Sequence, residues 1–375
     1  MAKVTINLLG YNSGKELADA IRSVLSQTYS DYELIFIDNA SSDQSAETVR
    51  RDFPRVKIIE NQTNLGYAGG HNLGIKSATG ELVMVLNPDV ALDKDFLVNI
   101  VKAFDDKNVA AATGKMLRPT SSVSSSVEGT YKRVLDGTGI VVSKTRRARE
   151  RGQLEQDRGQ YDGQRDVFGV SGTAAVYRKS ALEKIKVPKI DFFRPTSSFS
   201  EKPSLPLGQL GALSPDKSGE SNNESAFEYF DEDFFAYWED LDLSWRLRLA
   251  GFKCCYVPKA ELFHERKAGS SSGGYKKVMA FIKHHRALPR AVRKWNWKNH
   301  LFCIVKNDFG SPFWRDFIYI LGRELAMLCY IILFEPATLT VSLEFFRQLP
   351  AMMKKRKFIQ NNRVVSGAVA AAWFK

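Results

Sequence analysis

The chain has 375 residues, 44% of them hydrophobic and 26% charged; that length holds one large domain with an appendage or two modest ones, and that composition excludes global disorder and a polytopic membrane protein. The formal net charge of +12 is uneven, because residues 276–375 hold 18 Lys or Arg against 5 Asp or Glu, whereas residues 1–275 hold 36 against 37. The basic excess therefore belongs to the C-terminal region, where it can face nucleic acid, anionic lipid or a phosphorylated ligand.

In chain order, residues 4–9 form a β-branched run and residues 17–25 follow with Leu17, Ile21, Val24 and Leu25 at helical spacing. Apolar runs recur at 34–37, 56–59 and 82–86, with a helix-compatible segment at 45–53 and a glycine-rich stretch at 66–80 between them. Short strands that are apolar throughout and alternate with helices predict an α/β fold, a mostly parallel sheet with helices on both faces. In such sheets the ligand site lies beyond the carboxyl ends of the strands. The residues at those ends are Tyr11 to Ser13, Asp38 to Asp43, Asn61 to Asn64 and Asn87 to Asp89.

Residues 121–165 read as an irregular, charged surface segment, residues 167–177 return to a strand-like pattern, and residues 194–228 read as a mobile insertion rich in Ser, Pro, Gly and Glu. A helix is expected over 239–250, ending at Gly251, and a last strand over 252–257 leads to Phe263 and His264. Beyond residue 275 the pattern is helical and basic.

Several function classes lack their signatures. Cys254, Cys255, Cys303 and Cys329 have no C-x-x-C spacing, which suits neither a disulfide framework nor a zinc site and points to a reducing compartment. No G-x-G-x-x-G follows the first strand, no Walker A sequence occurs, and His264-Glu265 lacks the second histidine of a zinc protease. The first residues show no signal-peptide pattern, so a cytoplasmic protein is expected. The tail carries charge without a nucleic-acid reading motif, and no nucleic-acid partner is expected.

The acids carry the chemistry. Asp38 followed by Asn39 suits either recognition of a base and ribose or an Asx-turn capping the next helix. Asn87-Pro88-Asp89 is either a plain turn or a carboxylate held to ligate a hard divalent cation on a diphosphate. In Trp238-Glu239-Asp240-Leu241-Asp242, Glu239 and Asp242 fall on the face of Arg246, seven and four residues on. Asp240 points elsewhere: it is either one of three acids simply enriched at a helix start or a carboxylate, ionised in a first helical turn, suited to act as a general base. His264 is either a structural histidine or a ligand at the strand-end rim.

Together, VTINLLGYN, QTYSDYELIFIDNASSD, NLGYAGGHNLGI, LVMVLNPDV, GVSGTAAVYRKSAL and FAYWEDLDLSWRLRLAGFKCCYVPKAELFH resemble the family 2 glycosyltransferases, and within them the bacterial rhamnosyltransferase-like branch. The resemblance covers most of residues 3–264. It implies a GT-A fold and inverting transfer from a nucleotide sugar, dTDP- or UDP-linked, with Mg2+ or Mn2+ as cofactor. It implies Asp240, beside Glu239, as the base, and Asp89 and His264 as metal contacts. Asn12, Asp38, Asn39, Asn64, Gly69, Asn87 and Asp89 then stand on the donor side, and Gly172, Thr173 and Trp238 on the acceptor side. Many members have Asp where this chain has Asn87. The expected organisation is a GT-A catalytic domain over 1–275 and a basic amphipathic helical region over 276–375.

In that region the run 313–334 is interrupted by Arg315, Asp316, Arg323 and Glu324, and its uninterrupted part covers only 325–334. An interfacial helix is expected rather than a spanning one. Lys354 to Lys357, with Trp295, Trp297 and Trp314 upstream, suit the inner face of an anionic membrane and a lipid-linked glycan acceptor; the alternative is a packed or dimerising helical region.

Overall fold

The structure is a computed structural model, and it describes residues 3–119, 133–190, 226–264 and 285–375. Most of the 194–228 insertion, and the 275/276 boundary, lie outside the described residues.

The N-terminal half alternates strand and helix: β1 (Val4–Gly10), α1 (Gly14–Leu25), β2 (Tyr32–Asp38), α2 (Ser45–Asp52), β3 (Lys57–Glu60), α3 (Gly66–Ser77) and β4 (Leu82–Leu86). Then come β5 (Val90–Leu92), α4 (Phe96–Ile100), β6 (Val109–Leu117), β7 (Leu135–Gly137), β8 (Ile140–Val142), β9 (Ala148–Glu150), β10 (Asp166–Val167), β11 (Ala174–Arg178), α5 (Lys179–Ile185), β12 (Val187–Pro188), β13 (Phe227–Glu228), α6 (Glu239–Leu249) and β14 (Lys253–His264). The C-terminal region is helical: α7 (Arg290–Asn307), α8 (Gly310–Phe334), α9 (Thr340–Asn361) and α10 (Gly367–Ala371).

The main sheet runs β10-β14-β6-β11-β4-β1-β2-β3, with β5 on β14 and β7 on β6. It is parallel over β1 to β4, where Gly10 pairs with Asp38 and Asp38 with Glu60. Beyond β4 it is mixed: β11 lies antiparallel between β4 and β6, and β14 runs parallel to β6. Two reversals restore direction, so β6 and β14 end on the same edge as β1, β2 and β4. The antiparallel β11 begins there, which brings Gly172 and Thr173 to that edge; β7, antiparallel to β6, adds Asp136.

Strands β1, β4 and β6 are buried along their whole length because both faces of the sheet are covered. Val4, Ile6 and Leu8 join one core with Leu17 and Ile21 of α1 and Phe96 of α4, while Val83 and Val85 join another with Ile75 of α3, Leu182 of α5 and Leu243 of α6. A third core ties α6 to the C-terminal helices through Trp245, Leu249, Phe302, Met352, Ile359 and Phe374. Burial of each such side chain contributes about 1.5–3 kcal/mol.

Most of the glycine-rich stretch is helix α3, where glycines serve close packing: a Cβ at Gly70 would lie 2.5 Å from Leu9, and one at Gly74 would lie 2.5 Å from Asn7. Two expectations change. The described part of 121–165 is no mere surface excursion, since Asp136, Thr138 and Arg146 are fully buried. Of the basic cluster 354–357, Lys355 is 1% exposed and Arg356 donates to the Val305 and Asp308 carbonyls, which leaves Lys354 and Lys357 at the surface. Trp297 is buried, and Trp314 is exposed.

Candidate active site

A cleft of about 520 Å3 opens at the shared strand edge, lined by Tyr11, Asn12, Asn39, Asn64, Tyr67, Asn87, Asp89, Ala236 and Tyr237 among others. A cleft of about 580 Å3 at the opposite ends of β2 and β3, lined by Tyr32, Glu33, Val56 and Lys57, holds none of the candidate residues. The strand-end rule selects the first.

The rim is built by short polar side chains bonded to one another. Asn12, at φ 51°, accepts at Oδ1 from the Ser42 and Asp43 N–H groups at 2.7 and 3.3 Å. Asp38 Oδ2 accepts from Ser41 N–H at 3.1 Å, which is the Asx-turn reading, while its Oδ1 is buried with no hydrogen-bond partner among the described residues. Asn39 is committed at both ends: Nδ2 donates to Asn64 Oδ1 and the Gly66 carbonyl, and Oδ1 accepts from Asn61 Nδ2 and Leu65 N–H. Asn39 and Asn64 thus join the end of β2 to the start of α3. Gly69 does not reach the cleft; it faces Leu65, whose Cβ would lie 2.8 Å from an added Cβ.

On the other side, Asn87 N–H donates to the Thr173 carbonyl at 3.0 Å. Asp89 Oδ1 is buried and has no hydrogen-bond partner among the described residues, and Oδ2 lies 3.4 Å from His264 Nε2. The opposite ring nitrogen, Nδ1, is 2.8 Å from Asp136 Oδ2. Burial opposes charge on this imidazole, but the Asp136 and Asp89 carboxylates outweigh it and raise its pKa to about 9. Asp136 went unnoticed in the sequence, where it is one acid in a short apolar run. Among the described residues no group of three or more His, Cys, Asp or Glu is arranged to hold a metal alone. The buried Asp89 Oδ1 offers one oxygen to a hard divalent cation, which would take its remaining ligands from outside these side chains.

Helix α6 begins where expected, but Arg246 neutralises only one of the two acids assigned to it. Its Nε donates to Asp242 Oδ2 at 2.9 Å, and its other nitrogens donate to the Ile185 and Tyr229 carbonyls. Lys306 Nζ lies 2.9 Å from Asp242 Oδ1. Glu239 is 6% exposed, and its Oε2 has no hydrogen-bond partner among the described residues. Burial, and after it the neighbouring Asp240 charge, pushes the Glu239 carboxyl well above the usual range. Asp240 Oδ2 accepts from Gly172 N–H at 2.9 Å, and the Gly172 carbonyl accepts from Tyr67 Oη at 2.5 Å. Position 172 needs glycine, since a Cβ would lie 2.6 Å from that hydroxyl. Thr173 is buried beside it.

The approach to α6 is strained. Phe235, Tyr237 and Trp238 have φ of 61°, 70° and 76°, which costs non-glycine residues about 1–3 kcal/mol each. Trp238 turns toward α7, its Nε1 donating to Asn296 Oδ1 at 3.1 Å and its ring meeting His300 edge-on.

Residues 9–186 match the model of the family described as Glycosyl transferase family 2. Over those residues the chain is similar to family 2 glycosyl transferases. An uncharacterized glycosyltransferase of Nostoc sp. is 35% identical over 111 residues, 28% of this chain and 34% of that protein. A poly-beta-1,6-N-acetyl-D-glucosamine synthase of Staphylococcus epidermidis is 32% identical over 130 residues, 33% of this chain and 31% of that protein. The chain thus spans about a third of these curated relatives. A crystal structure of GalNAc-T7 with UDP, GalNAc and Mn2+ shares the fold at a TM-score of 0.52 and 12% identity, over 82% of this chain and 48% of that one. The fold is thus α/β, of the GT-A kind, with a helical C-terminal region packed on it.

Proposed function

We propose that the protein is an inverting glycosyltransferase that moves a sugar from a nucleotide donor to an acceptor hydroxyl, with Asp240 as general base. The observation that carries this reading is the bond from Gly172 N–H to Asp240 Oδ2, which holds the carboxylate one residue contact from Tyr67, a wall of the cleft that also holds Asp89.

In that cleft Asn12, Asn64 and the Asp38 edge receive the nucleoside, and Asp89 lies on the diphosphate side. Mg2+ or Mn2+ at Asp89, with His264 beside it, would supply charge stabilisation to the departing nucleoside diphosphate. Asp240 takes the acceptor's hydroxyl proton as that oxygen forms its bond to the anomeric carbon. The bond from that carbon to the diphosphate oxygen breaks with its electron pair, and attack from the opposite face inverts the configuration. The Gly172 N–H keeps one Asp240 oxygen engaged and leaves the carboxylate little rotation.

The sequence resemblance nominates L-rhamnose from dTDP-rhamnose; the Staphylococcus relative's name nominates an N-acetylglucosamine donor. The acceptor reading is a lipid-linked glycan in cell-surface polysaccharide assembly, met at the cytoplasmic face of the membrane. Its support is surface chemistry: α8 exposes Trp314, Ile318, Leu321, Leu325 and Ile332 at helical spacing, and α9 exposes Leu343, Phe346 and Met353 among exposed Arg347, Lys354 and Lys357. Helix α8 is long and apolar enough to cross a membrane by length and composition; Arg323 and Glu324 at its middle pair with His300 of α7 and face the protein, on a different side from the exposed stripe.

Incubating the protein with dTDP-rhamnose, UDP-N-acetylglucosamine, UDP-galactose and GDP-mannose, with Mn2+ or with EDTA, tests the reading. Donor turnover with one of them, lost in Asp240→Asn while nucleotide binding persists, is the expected result. Absence of binding and turnover with all four rejects it, and binding without any Asp240-dependent turnover identifies a silent scaffold.

A further inference from the structure

The strained approach to α6 is held by a helix outside the family 2 match. Asn299 of α7 is fully buried, and its Nδ2 donates to the Phe234, Ala236 and Tyr237 carbonyls at 2.9, 3.0 and 2.9 Å. Two hydrogens serve three acceptors, so one is shared, and all three carbonyls turn to one point. Backbone in this left-handed region persists where surrounding contacts over-determine it. The same face of α7 supplies the rest: Asn296 accepts from Trp238 Nε1, Cys303 Sγ approaches the Trp238 carbonyl at 3.6 Å, and Asn307 Nδ2 donates to Asp242 Oδ1 at 2.8 Å. Residues 296, 299, 303 and 307 recur every three or four positions, one stripe of a helix. The other side of the clamped segment is the cleft, where Ala236 and Tyr237 form part of the wall and the Phe235 carbonyl accepts from Tyr67 N–H at 2.7 Å.

We propose that Asn299 is a positioning residue for the transfer reaction: by gathering three carbonyls it fixes both the 235–237 wall of the donor cleft and the start of α6 that aims Asp240. The inference rests on the transferase reading. It makes the C-terminal helical region part of the catalytic apparatus, although no α7 residue lines the cleft. A neutral amide suits the position because a carboxylate would face three carbonyl oxygens and an aliphatic group would leave them unpaired in a buried site.

The test uses the full chain with Asn299→Leu and the milder Asn296→Ala, which removes only the acceptor of the Trp238 indole. Hydrogen exchange by mass spectrometry is compared between peptides over 233–242 and peptides over β1 to β4, alongside turnover and the affinity for UDP and dTDP. Asn299→Leu should raise exchange over 233–242 while the sheet stays protected, and should lower kcat about 100-fold, as expected for a displacement near 1 Å, with nucleotide Kd changed less than about tenfold. Asn296→Ala should act in the same direction with a smaller drop, about tenfold, and decides the matter if the leucine variant does not fold. Unchanged exchange over 233–242, or unchanged kcat in folded variants, overturns the proposal. If the wild type itself binds no nucleotide and turns over no donor, the transferase reading fails separately, and the exchange comparison alone then decides whether Asn299 clamps the segment.

Discussion

Glu239 and Asp240 are adjacent in sequence and opposite in circumstance: the Glu239 Oε2 is buried without a hydrogen-bond partner among the described residues, whereas both Asp240 oxygens accept backbone N–H bonds, from Gly172 and from Leu241. Burial and the Asp240 charge favour a neutral Glu239. One negative charge is thereby concentrated on the residue that faces Gly172.

The pair separates by isosteric substitution. Glu239→Gln copies the protonated acid and should leave kcat within about fivefold, whereas Asp240→Asn removes the proton acceptor and should lower it by about 100-fold or more. Steady-state kinetics with the best donor, together with nucleotide binding by calorimetry, check the split. Comparable losses in both variants would give Glu239 a charged role.

Gly172→Ala tests the contact itself. The added methyl would meet the Tyr67 hydroxyl at 2.6 Å and Asp240 Cβ at 3.4 Å, so Tyr67 must move and its bond to the 172 carbonyl must lengthen. A loss of about 1–3 kcal/mol in unfolding free energy is expected, with a drop in kcat larger than the change in nucleotide affinity. Denaturant unfolding and kinetics on the same preparation measure both.

The strand ends and the ordered acids were legible because they are local: an apolar run ends, and a polar turn follows within one or two residues. The packing role of Gly70 and Gly74 was not, because composition alone cannot distinguish a loop glycine from one against which Leu9 or Asn7 packs. Asp136 and Asn299 were invisible for a different reason. Each reaches the site through tertiary contact, Asp136 to a histidine 128 positions away and Asn299 to carbonyls 62 to 65 positions away, and neither sits in a local pattern. Arg246 was read from helix spacing as facing both Glu239 and Asp242; the four-residue spacing holds, and the seven-residue one yields no ion pair, since the guanidinium's remaining nitrogens go to the Ile185 and Tyr229 carbonyls.

His264 predicts a pH dependence of stability in metal-free protein. Its folded pKa of about 9 lies above the ordinary value of 6.5, so the charged ring binds its proton more tightly in the folded state. The stabilisation is fully present below pH 6.5 and is lost as pH rises through 9. Thermal unfolding in EDTA between pH 6 and pH 9.5 should show a decline in the wild type that is reduced in His264→Gln, and reduced in Asp136→Asn because the Nδ1 partner loses its charge. Parallel curves for all three proteins would mean that the Asp89–His264–Asp136 contacts do not hold the proton.

A buried charge network joins the C-terminal helices to the segment before α6. Lys355 is 1% exposed and donates to Glu228, Asp231 and Asp233 at 2.7, 2.6 and 2.8 Å, while Lys306 pairs with Asp231 and Asp242. Replacing a cation here strands carboxylates in a low-dielectric interior, which costs about 3–5 kcal/mol. Lys355→Met should therefore destabilise the chain by about that amount in urea unfolding, whereas Lys354→Met, exposed one position earlier, should change stability by less than about 0.5 kcal/mol. The same contrast separates packing from lipid binding: in flotation with anionic vesicles Lys354→Met and Ile318→Glu should weaken binding of a protein that remains folded. A truncation at residue 275 could not make that distinction, because it removes α7, whose Asn299 and Lys306 hold the backbone and the acid that flank Asp240.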